Sequence, residues 1–428
     1  MPATTPHVGV RAYFDPLETA SFLIADMSTI GGAFTAPGAD AAKFPLNVPV
    51  HFTTDDLEMT TAIGATGTLK WLVDACIAEG IVASVVATRV TEVADIAAQM
   101  VNVCGSPTAR TGLWSLLDAE AETGVAPDIL IAPGFTSQRL GSSANPAATV
   151  IDALCNRIVT GIGVVDTPSS TKEAAVEYAA DFTGTLNLVA TAQGARIMGP
   201  DGTPIVRPSS SHIAAHIVKN DKRRGAPYYS PGNLDLTGIL GPSRAVSFRI
   251  DDPDSEANYL LQRGVNCFVQ KVKNRTSRSI NSPQGKTFWG FFNTSENPRW
   301  RQLHMVRVRK AVLEVIPRTM AQYIGRNLGP HLITTIGRGL EGFLGELHGM
   351  PEPAILSGWK VLWPRELNSN GTLAVGGTAF RVKFQEAPAL VDLQFFTEPN
   401  DASFDIMADE IAAAMSAFNV SGQLYGTL

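Results

Sequence analysis

Three glycines, Gly337, Gly339 and Gly342, stand at the spacing G-x-G-x-x-G in the stretch TTIGRGLEGFLGEL. Between a strand and a helix that pattern cradles a dinucleotide pyrophosphate, because the glycines close a tight turn beneath free helix amides. Here Leu332, Ile333, Ile336, Leu340, Phe343, Leu344 and Leu347 recur at steps of three and four through the same stretch, which places the glycines inside one amphipathic helix. The ribose-binding carboxylate expected about twenty residues on has only Glu366 as a candidate, beyond two Trp and a Pro. The expectation is a packed helix with no nucleotide, its small residues marking a close backbone approach.

Other chemistry-bearing residues fare similarly. His212 and His216 stand at i and i+4, a spacing that can put two imidazoles on one metal. No Glu lies between them and no third ligand is near; Ile213 and Ile217 run beside them, so a structural helix is expected. Ser209, Ser210 and Ser211 precede the first histidine without the G-x-S-x-G elbow a nucleophile requires, and read as helix caps. The carboxylates of TTDDLE and RIDDPDSE sit in turn-like surroundings. Cys76, Cys104, Cys155 and Cys267 are far apart and lack a zinc pattern; buried free thiols are expected, with disulfides plausible only outside a reducing compartment. No catalytic, cofactor or metal constellation emerges, and an enzyme is not expected.

The 428 residues are 45% hydrophobic, enough core for two or three domains, and the net charge of −6 argues against a general nucleic-acid binder. No leader pattern and no apolar run of about eighteen residues is present, so synthesis in the cytosol and no membrane partner are expected. Helices are expected over 68 to 79, 93 to 102, 111 to 122 and around 147 to 158. Between them lie the strands IVASVVATRV, DILIAPG, GIGVVD and LNLVAT, with Ser170 and Glu173 as a capping box before TKEAAVEYAADF. Strands alternating with helices of this length imply a doubly wound parallel sheet. Asp201 and Gly202 mark a hairpin between ARIMGP and TPIVRP.

Charge is segregated toward the end of the chain. Residues 299 to 326 hold seven basic residues against the single acid Glu314, whereas residues 388 to 428 hold six acids and no Lys or Arg. Opposite local signs in a near-neutral chain suit docking on copies of itself or on a fixed partner.

These landmarks together resemble the tail sheath protein of contractile-tailed bacteriophages, in the compact form found in temperate phages. The similarity runs through PHVGVRAYFD, TASFLIADMS, DAAKFPLNVPVHFTT, DILIAPGFTSQ and GIGVVDTP. It is densest from Arg207 to Asn233, where Pro208, Ser209, Ala214, Asp221, Gly225, Ser230, Pro231 and Asn233 match the family pattern. DDPDSEANYLLQRGVNCFV and KTFWGFFNTSENPRWRQLHMVRVRKAVLEVI continue it, with a departure at Phe291 and Phe292, and the glycine-bearing helix ends at the bend HGMPEP as in the family.

The resemblance implies an α/β fold: an outer doubly wound α/β domain plus an inner α+β domain built from both chain ends, with extended terminal arms. The expected divisions are an arm at 1–22, an outer domain at 23–270, an inner tube-facing domain at 271–387, and a C-terminal strand and arm at 388–428. It implies a structural virion subunit, made in the host bacterial cytoplasm, that polymerises around a tail tube and contracts without ATP to drive the tube through the host envelope. Its partners would be itself as a helical homo-oligomer of stacked rings, the tail tube protein, and baseplate and terminator proteins. The alternatives are the sheath of a phage-like bacteriocin or injection device, and a cytosolic α/β enzyme. Arg301, Arg307, Arg309 and Lys310 are expected to face an acidic tube, and Val8, Val10, Ala12, Leu390, Asp392, Gln394 and Phe396 to form intersubunit arms.

Overall fold

Runs of β-branched and small apolar residues, buried on both faces, build the centre of the molecule. The structure, a computed structural model, describes residues 26–269 and 286–424. Strands β1 (Ile30–Thr35), β2 (Pro49–Thr53), β3 (Ser84–Val90), β4 (Ile129–Ile131), β5 (Ile162–Asp166) and β6 (Leu188–Thr191) come first. A hairpin follows, β7 (Ala195–Met198) and β8 (Pro204–Arg207), then β9 (Leu234–Asp235), β10 (Gly241–Pro242), β11 (Val265–Val269) and β12 (Thr287–Trp289). Nine of these form one sheet in the order β2-β3-β1-β4-β5-β6-β11-β12-β9. From β3 to β11 neighbouring strands are parallel, while β2 and the pair β12 and β9 close the two edges antiparallel.

The helices between strands are α1 (Leu57–Ala62), α2 (Thr68–Glu79), α3 (Ile96–Cys104), α4 (Ala119–Thr123), α5 (Pro146–Cys155), α6 (Lys172–Ala180), α7 (Ser210–Arg224) and α8 (Glu256–Leu261). Strand alternation divides the apolar side chains between two layers. Ile30, Phe34, Val85, Ile162 and Val164 meet α2 and α7 on one face, and Ala33, Val86, Val90 and Val165 meet α3 and α5 on the other. The expected helix over 111 to 122 is instead a 3-10 turn, Gly112–Asp118, leading into α4. Gly112 lies at φ +59°, which a continuous α-helix does not tolerate. The expected cap Ser170 yields to Thr171, whose side chain accepts from Ala174 N and leaves the capping box one residue out of register. The hairpin forms as read, with Gly202 at φ +77° in its turn.

The direction of winding reverses between β1 and β4, which is where open α/β sheets bind ligands. Here the chain closes that crevice itself. Thr35 N donates to Thr68 Oγ1 at 3.0 Å, Thr68 N donates to Thr35 Oγ1 at 3.2 Å, and a Cβ on Gly67 would lie 2.3 Å from Thr35 O. The amino end of α2 is therefore occupied by the end of β1.

Two long helices, α9 (Leu303–Met320) and α10 (Pro330–His348), then form their own core with β13 (Lys360–Leu362), α11 (Asn370–Ala374) and β14 (Arg381–Lys383) near them in sequence. Val308, Val312, Val315, Phe343, Leu344 and Leu347 pack with Met27 and Tyr228, bringing the start of the described chain into this layer. The division expected at residue 270 falls across the main sheet, since β12 pairs with β11. Residues up to Pro388 form one compact unit and residues from Ala389 a second, in which α12 (Ala402–Leu424) follows a stretch without assigned secondary structure.

Candidate assembly interface

Gly337, Gly339 and Gly342 lie within α10, whose buried side chains are Ile336, Leu340, Phe343, Leu344 and Leu347. Their amides belong to the helix ladder. His212 and His216 lie on α7 and are buried. His216 Nε2 meets Pro231 O at 3.0 Å, and burial lowers its pKa. His212 faces Glu79 at 3.8 Å. Burial pushes Glu79 up, but the nearby His212 and hydrogen bonds donated by Thr237 and Gly238 outweigh it and hold the carboxyl at about 2. The pair thus serves packing between α7 and α2.

Ser209 and Ser210 do not cap α7 with their own oxygens as expected. Asp166, at the end of β5, accepts both of their amides at 2.7 and 2.9 Å and both hydroxyls at 2.9 and 2.6 Å. A carboxylate at a helix amino end satisfies orphan amides and meets the positive dipole end. One contact escaped the sequence reading: His51 Nε2 lies 2.9 Å from Ser84 Oγ. It arises because Ser84 pairs with Thr53 across β2 and β3, two residues from His51, and Thr29 also donates to the same hydroxyl. Strand register brings them together, on a straight strand rather than a nucleophile elbow.

The basic run on α9 requires a correction. Arg307 is 1% exposed and makes a two-pronged pair with Asp221, at 2.9 and 2.5 Å, while donating to Met27 O at 3.0 Å. Lys310 donates to Cys155 O, Gly161 O and Asn187 Oδ1, capping the carboxyl end of α5. Arg309 pairs with Glu386 at 2.5 Å and stacks on Phe384 at 3.8 Å. Arg301 donates to Leu261 O and lies over Phe292 at 5.2 Å. Arg307, Arg309 and Lys310 fasten α9, and Arg301 the residues just before it, to other parts of the same chain, so they are not a free surface for a tube.

The exposed, uncommitted chemistry lies elsewhere. In β13 and β14, Lys360 stands directly opposite Lys383, both exposed, and Leu362 opposite Arg381. Like charges facing across an antiparallel pair destabilise it, and a two-stranded sheet is marginal alone. In the C-terminal unit Leu390 is 72%, Phe395 81% and Phe396 86% exposed. Asp392 and Gln394 are exposed beside them, and no strand is assigned over 388 to 400. Along α12, Phe404, Met407, Ile411 and Met415 keep a helical stripe that is likewise exposed. Of the expected arm residues, Val8, Val10 and Ala12 lie outside the described residues.

Residues 108–281 match the family described as phage tail sheath protein central domain. The chain is 29% identical over 370 residues to a prophage major tail sheath protein of Pseudomonas aeruginosa (strain UCBPP-PA14), covering 85% of this chain and 89% of that one. It is 22% identical over 397 residues to the tail sheath protein of Escherichia phage P2, covering 90% and 94%. The sheath complex of the extracellular contractile injection system PVC, solved in its contracted state, shares the fold at a TM-score of 0.65 and 16% identity, covering 92% of this chain and 99% of that one. A central region that matches that family, tail sheath relatives along nearly its whole length and a shared fold make the chain similar to contractile tail sheath proteins.

Proposed function

We propose that this chain polymerises around the tube of a phage tail as its contractile sheath, and that copies are linked when the acidic C-terminal segment of one adds to the β13 and β14 sheet of another. The observation that carries the linkage is a pair of matching deficits. Among the described residues no anion pairs with Lys360 or Lys383, which oppose one another, and residues 388 to 428 carry six acids without a Lys or Arg. Strand addition offers main-chain bonds that survive rigid-body rotation of subunits, which a contracting lattice needs.

Magnitudes decide how the link works. Burying each of Leu390, Phe395 and Phe396 contributes about 1.5–3 kcal/mol, whereas a rim ion pair contributes about 0–1. Apolar anchoring therefore supplies affinity and charge supplies register. Ordering the segment costs about 1–2 kcal/mol per residue, so a single link is weak and a tube depends on many links acting together.

The layer built on α9 and α10 is assigned to the tube side and the nine-stranded sheet to the outside. Tube, baseplate and terminator proteins are the proposed partners. A sheath for an injection device uses the same fold; the higher sequence identity to prophage and phage sheaths, 29% and 22% against 16%, favours the phage tail.

The test is a charge exchange. Lys360→Glu with Lys383→Glu should abolish tubular assemblies seen by electron microscopy, and adding Asp392→Lys with Glu398→Lys should restore them. Undiminished tubes from the first variant would remove β13 and β14 as the acceptor.

A further inference from the structure

At the amino ends of the parallel strands, opposite the usual ligand crevice, lies a cavity of about 930 Å³. Three carboxyl groups gather beside it around the guanidinium of Arg307, at the point where the described chain enters β1. Asp26 Oδ1 accepts from Ser28 N at 3.1 Å, and Asp128 Oδ2 accepts from Thr29 N at 3.1 Å. Asp128 N and Ile129 N both donate back to Thr29 O, at 2.8 and 2.9 Å. Arg307 holds Met27 O while paired with Asp221. Residues 26 to 29 are thus gripped from β4 on one side and from α9 on the other.

We propose that Asp128 is a proton-operated latch on the segment Asp26–Thr29: protonated, it lies in place against Thr29, and ionised, it admits water from the cavity and loosens the segment. The charge balance explains why. Arg307 is already engaged in both directions by Asp221, so an ionised Asp128 would add a buried negative charge beside Asp26 without a cation of its own. Burial accordingly pushes Asp128 up to about 7, against the opposing pull of bonds from Thr160 and Thr29 and of the Arg307 charge. Around the rest of the cavity, Glu120 and Glu314 are both engaged by Arg318, while Arg157 lies over Trp114 and His51 meets Ser84. Asp221 is raised by burial as well but holds Arg307 as its partner, whereas Asp128 has no cation of its own among the described residues. The latch is a property of the single chain and does not depend on how copies are linked.

The sign follows from linkage. An open segment leaves Asp128 near its ordinary value of about 3.9, while the closed segment holds it higher, so opening releases a proton between those limits. The test is hydrogen exchange by mass spectrometry on the full chain from about pH 4.5 to 8, each rate corrected for intrinsic exchange. Protection of peptides covering 27 to 29 should fall about tenfold per pH unit between about pH 5 and 6.5 and level off above about 7. Protection over Val164–Asp166 serves as the internal reference, and Asp128→Asn should flatten the slope. A wild-type profile parallel to the reference would overturn the latch, as would the same slope in the Asn variant. The wild-type measurement decides the question even if that variant fails to fold.

Discussion

Replacing Arg307 by Met removes the cation that joins α9 to Asp221 of α7 and to Met27 at the entrance to β1. Asp221, 3% exposed, is left with a buried charge and no counter-ion, and Met27 O loses its donor. Breaking a buried pair from one side costs about 3–5 kcal/mol, a large share of the roughly 5–15 kcal/mol that holds a typical protein together. Burial already raises Asp221, and Arg307 pulls it back down. Without Arg307 the carboxyl rises further, and a carboxyl whose folded pKa exceeds its unfolded one loses stability as pH climbs between the two. The destabilisation should therefore be larger at about pH 8 than at about pH 4. Urea unfolding of unassembled full-length chain, followed by tryptophan fluorescence, measures both. The double variant Arg307→Met with Asp221→Leu should recover most of the loss, because no orphan charge remains. A loss below about 1 kcal/mol in the single variant would refute the reasoning, as would a double variant no better than the single.

Other consequences can be checked alongside. Gly32→Ala would put a Cβ 2.2 Å from Ile131 O in the neighbouring strand, and should cost about 1–3 kcal/mol in the same unfolding assay. Burial raises Cys76 and Cys155 to about 12 and Cys104 to about 11, and shifts Cys267 upward as well. With so little thiolate, a disulfide reagent at about pH 8 should label the folded chain slowly, Cys104 first, and all four thiols promptly in urea. Residues up to Pro388 form a compact unit by themselves, so a chain ending there should melt as the full chain does while forming no tubes.

Local signals in the sequence located most elements because their period and punctuation agree. Thr68–Glu79 is read to the residue, since Gly67 and Gly80 bracket a continuous helical pattern. The glycine motif resolves as a helix for the same reason: seven apolar residues at helical spacing outweigh three glycines. Partnerships at long range were not legible. Arg307 and Asp221 are 86 residues apart, and nothing in a run of seven basic residues tells which of them face inward. The acceptor of the α7 amino end, Asp166, is likewise more than forty residues from Ser209. Between Ala402 and Leu424 the acids spaced along the segment drew attention to its charge, and the stripe of Phe404, Met407, Ile411 and Met415 that makes it a helix was missed.

The central claim is that the chain assembles with itself into a sheath, and electron microscopy of the purified full-length protein across protein concentration and salt tests it most directly. Hollow tubes or stacked rings that lengthen with concentration, and that vanish when the chain ends at Pro388, are the predicted result. Discrete particles of a single copy under every condition would contradict it.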